Sequence, residues 1–119
     1  MDVVHKIGDD FLANNKNLSI VNFNKLKFIN IIGNNFLSNN NKIKKINFGN
    51  LKNISIIGHN FLSNCKELLI LNLSTIKTIN QIGFNFLYGC KKLKVIIVNN
   101  NDIYDMLKKI NPKFKIEIK

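Results

Sequence analysis

Cys65 and Cys90 are the only thiols of the chain and stand 25 residues apart. His5 and His59 are its only imidazoles. Zinc sites need such groups clustered at ligand spacing, and nucleophilic catalysis needs a nucleophile beside a base. Neither arrangement is present, because no second histidine or cysteine recurs near any of these four. Gly8, Gly33, Gly58 and Gly83 each stand alone, so no glycine-rich phosphate loop exists. The residues therefore predict no catalytic, cofactor-binding or metal-binding site, no cofactor and no small-molecule substrate. The expected protein is not an enzyme.

Lysine is the remaining chemistry-bearing residue. Eighteen basic residues face seven acidic ones, giving a formal charge of +11. Every basic residue is lysine. Such a surface attracts anions, whether nucleic acid, anionic membrane or an acidic protein. The absence of arginine weakens the nucleic-acid reading, since arginine is the usual bidentate reader of guanine. An AT-rich coding sequence would also enrich lysine, asparagine and isoleucine without selection for charge.

The elements that must position these residues are set by a repeat. Ile-Gly occurs at Ile7-Gly8, Ile32-Gly33, Ile57-Gly58 and Ile82-Gly83, at a constant spacing of 25. Phe-Leu recurs in the same register at Phe11, Phe36, Phe61 and Phe86. Aliphatic columns run through Leu18, Ile43, Leu68 and Leu93, and through Val21, Ile46, Leu71 and Ile96. Further columns hold Phe23, Phe48, Leu73 and Val98, then Leu26, Leu51 and Ile76, then Ile29, Ile54 and Ile79. A unit of this size cannot bury its own apolar side, so stacked units must form a solenoid.

Within a unit, Leu68 to Leu73 ends in the alternation of a short strand. Ile76, Ile79 and Ile82 return to the core in extended or irregular backbone. The glycine that follows suits a tight turn or a positive φ. Asp10, Asn35, Asn60 and Asn85 then read as N-caps. A helical turn through Phe61 to Cys65 is expected after the cap.

The run from Ile57-Gly58 through Asn60-Phe61-Leu62 and Cys65 to Leu68, Leu71 and Leu73 resembles the leucine-rich repeats of the BspA-like class. The resemblance covers residues 1 to about 100. The first two units carry Asn15 and Asn40 where the later ones have Cys65 and Cys90. It implies an α/β repeat solenoid: a leucine-rich-repeat array with a short-stranded parallel sheet and irregular or helical turns on the other side. It also implies a scaffold for protein–protein contact without catalytic residues.

Four repeats are assigned to residues 1–100 and a C-terminal cap to 101–119. The cap is a helix over Asp102 to Ile110, stopped by Pro112, and a strand over Phe114 to Ile118 that together form a helix–strand cap. Met1 and Val4 already occupy the columns of Leu26 and Ile29. The array is thus expected to begin inside a unit with an unshielded end, open to self-association through the N-terminal repeat. Cys65 and Cys90, one unit apart, could be bridged or could be buried thiols filling a column. Buried thiols are expected, since the chain shows no secretory signal.

If the core-facing places of each strand are Leu71 and Leu73 and their equivalents, the outward pairs follow. They are Ile20 and Asn22, Lys45 and Asn47, Ile70 and Asn72, and Val95 and Ile97. Exposed aliphatics of this kind mark contact sites, although strand propensity alone would also place them there. These eight residues are the expected partner-binding surface. Asn22, Asn47 and Asn72 form a column that could hydrogen-bond along the stack. Lys27, Lys52 and Lys77 share a second column, and Lys16, Lys66 and Lys91 a third.

The functional expectation is a non-enzymatic protein–protein interaction module that binds another protein through this sheet face. Two alternatives stay open: an anion-binding module for nucleic acid or anionic membrane that uses the stacked lysines, and a structural fragment of a longer repeat protein. No signal peptide and no run of ~20 apolar residues is seen. An intracellular location is favoured on that ground.

Overall fold

The computed structural model describes residues 5–24, 26 and 28–119. The chain winds as a parallel β-solenoid. In chain order its elements are β1 (Lys6–Ile7), β2 (Ile20–Asn22), β3 (Ile31–Ile32), β4 (Lys45–Asn47) and β5 (Asn53–Ile57). They continue with β6 (Ile70–Asn72), β7 (Thr78–Ile82), β8 (Val95–Val98), α1 (Asn101–Ile110) and β9 (Ile116–Ile118). Every strand pair is parallel. The register is one unit throughout the repeats, as in Ile20↔Lys45 and Ile54↔Ile79.

Each coil has three sides. The front side carries the strand expected from Leu68 to Leu73, with the burial pattern exposed–buried–exposed in β2, β4 and β6. On the rear side extended and irregular backbone were both open from the sequence, and the structure decides for extended: β1, β3, β5 and β7 form a continuous four-stranded sheet. A regular strand sends residues three apart to opposite faces. Here the pairing of β5 with β7 skips Ser55 and Asn80, and Ile54 and Ile57 both face inward. The three-residue spacing of aliphatics therefore hides a strand.

The third side is an arc of turns, and here the helical turn of the sequence reading is overturned. Asn60, Leu62 and Asn64 have φ of 61°, 54° and 60°, and the same alternation recurs in every coil. An α-helix needs right-handed φ at each successive residue, so this arc is not one. Asp10, Asn35, Asn60 and Asn85 are not N-caps. They are the left-handed positions, which asparagine and aspartate tolerate best after glycine. A leucine there costs about 1–2 kcal/mol. Leu37 and Leu62 are completely buried, which offsets that strain.

The repeat glycines also differ from expectation. None of Gly8, Gly33, Gly58 and Gly83 has a positive φ. Gly33, Gly58 and Gly83 are small because coils approach closely there: a Cβ on Gly58 would lie 2.7 Å from the carbonyl carbon of Gly33 and 2.8 Å from Asn34 N.

Polar ladders run along the arc. Asn35 Nδ2 donates to Asp10 Oδ1 at 2.7 Å, Asn60 Nδ2 to Asn35 Oδ1 at 2.8 Å, and Asn85 Nδ2 to Asn60 Oδ1 at 3.0 Å. A second ladder joins Asn14, Asn39 and Asn64. The abundance of asparagine at these columns has a structural cause as well as a compositional one. Inside, Phe11, Phe36, Phe61 and Phe86 stack with centroids 5.4–5.8 Å apart. Ring pairs at such distances add about 0.5–1.5 kcal/mol each beyond burial.

At the far end α1 is capped by Asn100, whose side chain accepts from Ile103 N. Lys108 and Lys109 occupy its last turn, favourable to the helix dipole. β9 pairs with β8 and extends the front sheet. Met1 and Val4, on which the unshielded end was argued, lie outside the described residues.

Candidate functional site

The front strands bring the eight expected contact residues onto one face. Ile20 is 67% exposed and Ile70 50%, while Asn22, Lys45, Asn47 and Asn72 are all exposed. Val95 and Ile97 are half-buried, since β9 lies beside β8 and places Glu117 next to Ile97.

The face is not continuous. β2 pairs with β4, and β6 pairs with β8, but β4 and β6 are not paired as strands. Ile20, Asn22, Lys45 and Asn47 therefore form one block, and Ile70, Asn72, Val95 and Ile97 another. A groove of about 500 Å³ follows the split. Lys44, Lys45 and Asn47 line one bank, and Leu69, Ile70 and Asn72 the other. Lys44 and Leu69 were not singled out from the sequence. The available signal was Leu69 itself, an exposed leucine in a column that otherwise holds Ser19, Lys44 and Lys94.

The column of Asn22, Asn47 and Asn72 does not bond along the stack. Each side-chain oxygen accepts from the backbone N–H two residues on, at Asn24, Gly49 and Ser74, over 2.7–2.9 Å. These are Asx turns that end the strands.

The column of Asn40, Cys65 and Cys90 has one structural task. Asn40 Nδ2 donates to Leu12 O, Cys65 Sγ to Leu37 O and Cys90 Sγ to Leu62 O. Asparagine and cysteine are interchangeable there because each supplies a donor to the carbonyl of a left-handed leucine in the preceding coil. Both thiols are unbridged. Burial pushes the Cys65 thiol up to about 12 and the Cys90 thiol to about 11, which keeps both protonated and unreactive near neutrality.

His59 is exposed and has a defined partner: its Nδ1 accepts from Phe84 N at 2.8 Å, and its ring stacks on Phe84 at 4.9 Å. Asp9 and Asn34 accept in the same way from the next coil. No group of three His, Cys, Asp or Glu side chains lies close enough to hold a metal ion among the described residues.

Lys16, Lys66 and Lys91 are exposed along one ridge, and Lys52 and Lys77 along another. Lys27, the first member of the second ridge, lies outside the described residues. Lys92 Nζ reaches Glu67 at 2.9 Å, and its hydrogen bond is the main influence holding the Glu67 carboxyl below the usual range. No helix is long and apolar enough to cross a membrane among the described residues.

A 25-residue period, parallel strands on two sides and a leucine-centred arc all repeat in one register. The family model described as BspA type leucine rich repeat region (6 copies) matches residues 2–111. The chain belongs to this family. The match runs past residue 100 and takes in α1. No curated protein and no solved structure is significantly similar to the chain. Leucine-rich repeats of this kind are generally non-enzymatic, and membership suggests a protein-interaction module.

Proposed function

We propose that this BspA-type repeat protein is a non-enzymatic module that binds another protein through its front face. The observation that carries the reading is the groove between β4 and β6. It combines aliphatic side chains, Leu69 and Ile70, with the ammonium groups of Lys44 and Lys45 and the amides of Asn47 and Asn72. Exposed aliphatics beside polar groups suit a protein partner, which offers both apolar and hydrogen-bonding surface. Ile20 and Asn22 extend the surface on one side, and Val95 and Ile97 on the other.

The test replaces Ile70 and Ile97 with serine and compares capture of partners with the parent protein at two salt concentrations. The expected result is loss of a partner that the parent retains at both concentrations, with thermal stability unchanged. An unfolded variant would mean that these side chains point inward. A second reading rests on the exposed lysine ridges: among the described residues, none of Lys16, Lys52, Lys66, Lys77 and Lys91 has an ion pair. It assigns the chain to anionic membrane or nucleic acid. Binding that collapses between the two salt concentrations and ignores the serine substitutions would favour it.

A further inference from the structure

The arc is held from coil to coil by three recurring backbone bonds. Asn60 N donates to Phe84 O at 2.8 Å, Leu87 N to Phe61 O at 3.0 Å, and Asn64 N to Tyr88 O at 2.6 Å. The equivalent bonds link each earlier pair of coils, as Asn35 N to His59 O and Asn39 N to Ser63 O. In the last arc the equivalents are Asn85 N, Phe86 O and Gly89 N. None of these three finds a partner among the described residues.

The C-terminal segment covers the apolar part of this arc and leaves the backbone open. Phe114 meets Phe86 edge to face, with centroids 6.3 Å apart, and Phe86 and Leu87 are buried. Between the arc and residues 110–115 runs a groove of about 840 Å³. Lys91, Lys94, Lys113 and Lys115 line it, and no acidic residue does. None of these four lysines has an ion pair among the described residues. Leu93 and Ile110 add apolar surface, with Ile110 40% exposed.

We propose that this end groove takes an extended acidic peptide segment of a partner protein, laid over the last arc as a further coil would lie. Its carbonyls accept from Asn85 N and Gly89 N, and its N–H donates to Phe86 O. Its carboxylates meet the lysine rim, and an apolar side chain covers Leu93 and Ile110. Strand-like addition to an open backbone edge gives affinity through main-chain bonds and specificity through the flanking side chains. The site is distinct from the front face and independent of it.

The chemistry disfavours two other occupants. A second copy would bring its first coil to this arc. Asp10 would then set a carboxylate, which only accepts, against Asn85 Oδ1, where each rung of the ladder needs a donor. Phe84 likewise has no side-chain acceptor for Asp9 N, although Asp9, Asn34 and His59 each provide one for the next coil. The phosphodiester backbone of a DNA strand only accepts, so laid along the arc it meets Asn85 N and Gly89 N but offers Phe86 O no main-chain donor.

The probe is a fluorescein-labelled octapeptide of alternating glutamate and leucine, followed by anisotropy, with a lysine–leucine octapeptide and an oligothymidylate as controls. The expected result is saturable binding of the acidic peptide alone. The Lys94→Glu/Lys113→Glu variant should weaken it about tenfold or more. Lys16→Glu/Lys66→Glu and Ile70→Ser should leave it within about threefold. Binding should also slow hydrogen exchange at the Asn85 and Gly89 amides, a readout that diffuse charge attraction does not move. Thermal melts confirm that each variant is folded, and Lys94→Gln/Lys113→Gln replaces the reversal if it is not. The proposal is overturned by absent binding, by equal loss from both charge reversals, or by binding without amide protection. Equal binding of oligothymidylate overturns it, as does peptide-independent protection that grows with protein concentration. Front-face binding that survives such a result leaves the proposed function intact.

Discussion

Gly58 and Gly8 share a column but not an environment. A Cβ at Gly58 meets the backbone of Gly33 and Asn34 within 2.8 Å, whereas one at Gly8 meets nothing within 4 Å. Gly58→Val should therefore cost about 3 kcal/mol in urea denaturation, as overpacking against backbone does, and Gly8→Ala should cost almost nothing. Equal losses would return the explanation to turn conformation. The thiols supply a second residue-scale prediction. Their folded values of about 12 and about 11 lie above the ordinary 9.0. A raised value means that the unfolded chain gives up its thiol protons first. The stabilisation is complete below pH 9 and declines as pH rises toward 11–12. Each thiol should contribute about 2 kcal/mol of loss by pH 11. A Cys65→Ala/Cys90→Ala variant should lose stability more shallowly than the parent over that window, and parallel curves would refute the linkage.

The arc is the element on which the coils depend. Its alternating left-handed residues, Asn60, Leu62 and Asn64, place side-chain amides in line for the ladders and turn Leu62 into the core. Asn60→Ala removes two ladder bonds, to Asn35 and from Asn85, and forces alanine into a left-handed φ, so it should cost about 3 kcal/mol. Asn60→Gly removes the same two bonds without the conformational strain and should cost less. Differential scanning calorimetry on the pair separates the two contributions, and an alanine variant as stable as the glycine one would show that the left-handed φ carries no penalty. The same asparagines looked like helix caps because capping and left-handed turns favour one residue type for related reasons: a short polar side chain beside its own backbone.

For the whole molecule, the contrast between coils is informative. Phe11 and Leu12 are 37% and 38% exposed, while their equivalents Phe36 and Leu37 are completely buried. We propose that this face associates with a second copy, head to head, so that both apolar patches are covered at once. Sedimentation over a wide concentration range should show association that Leu12→Glu abolishes. A monomer at every concentration, with or without the substitution, would sink the idea. The far end differs, since Phe114 packs on Phe86 there and both Phe86 and Leu87 are buried.

The 25-residue period, the columns of core residues and the front strands were legible in the sequence, because stacking demands the same residue type at the same place in each coil. The outward placement of Ile20, Asn22, Lys45, Asn47, Ile70 and Asn72 followed from strand alternation. The rear sheet was not legible as a sheet, only as extended or irregular backbone. Its aliphatics recur every third residue, a spacing that a regular strand does not produce, and only the skipped pairing at Ser55 and Asn80 reconciles it with a sheet. Nor were the ladders, since an asparagine does not reveal whether its partner lies two residues ahead, as for Asn72, or one coil away, as for Asn60. The split between β4 and β6 and the open backbone of the last arc were decided by the tertiary structure alone. Both consist of pairing left unmade, and pairing between coils is a property of their stacking rather than of any single unit.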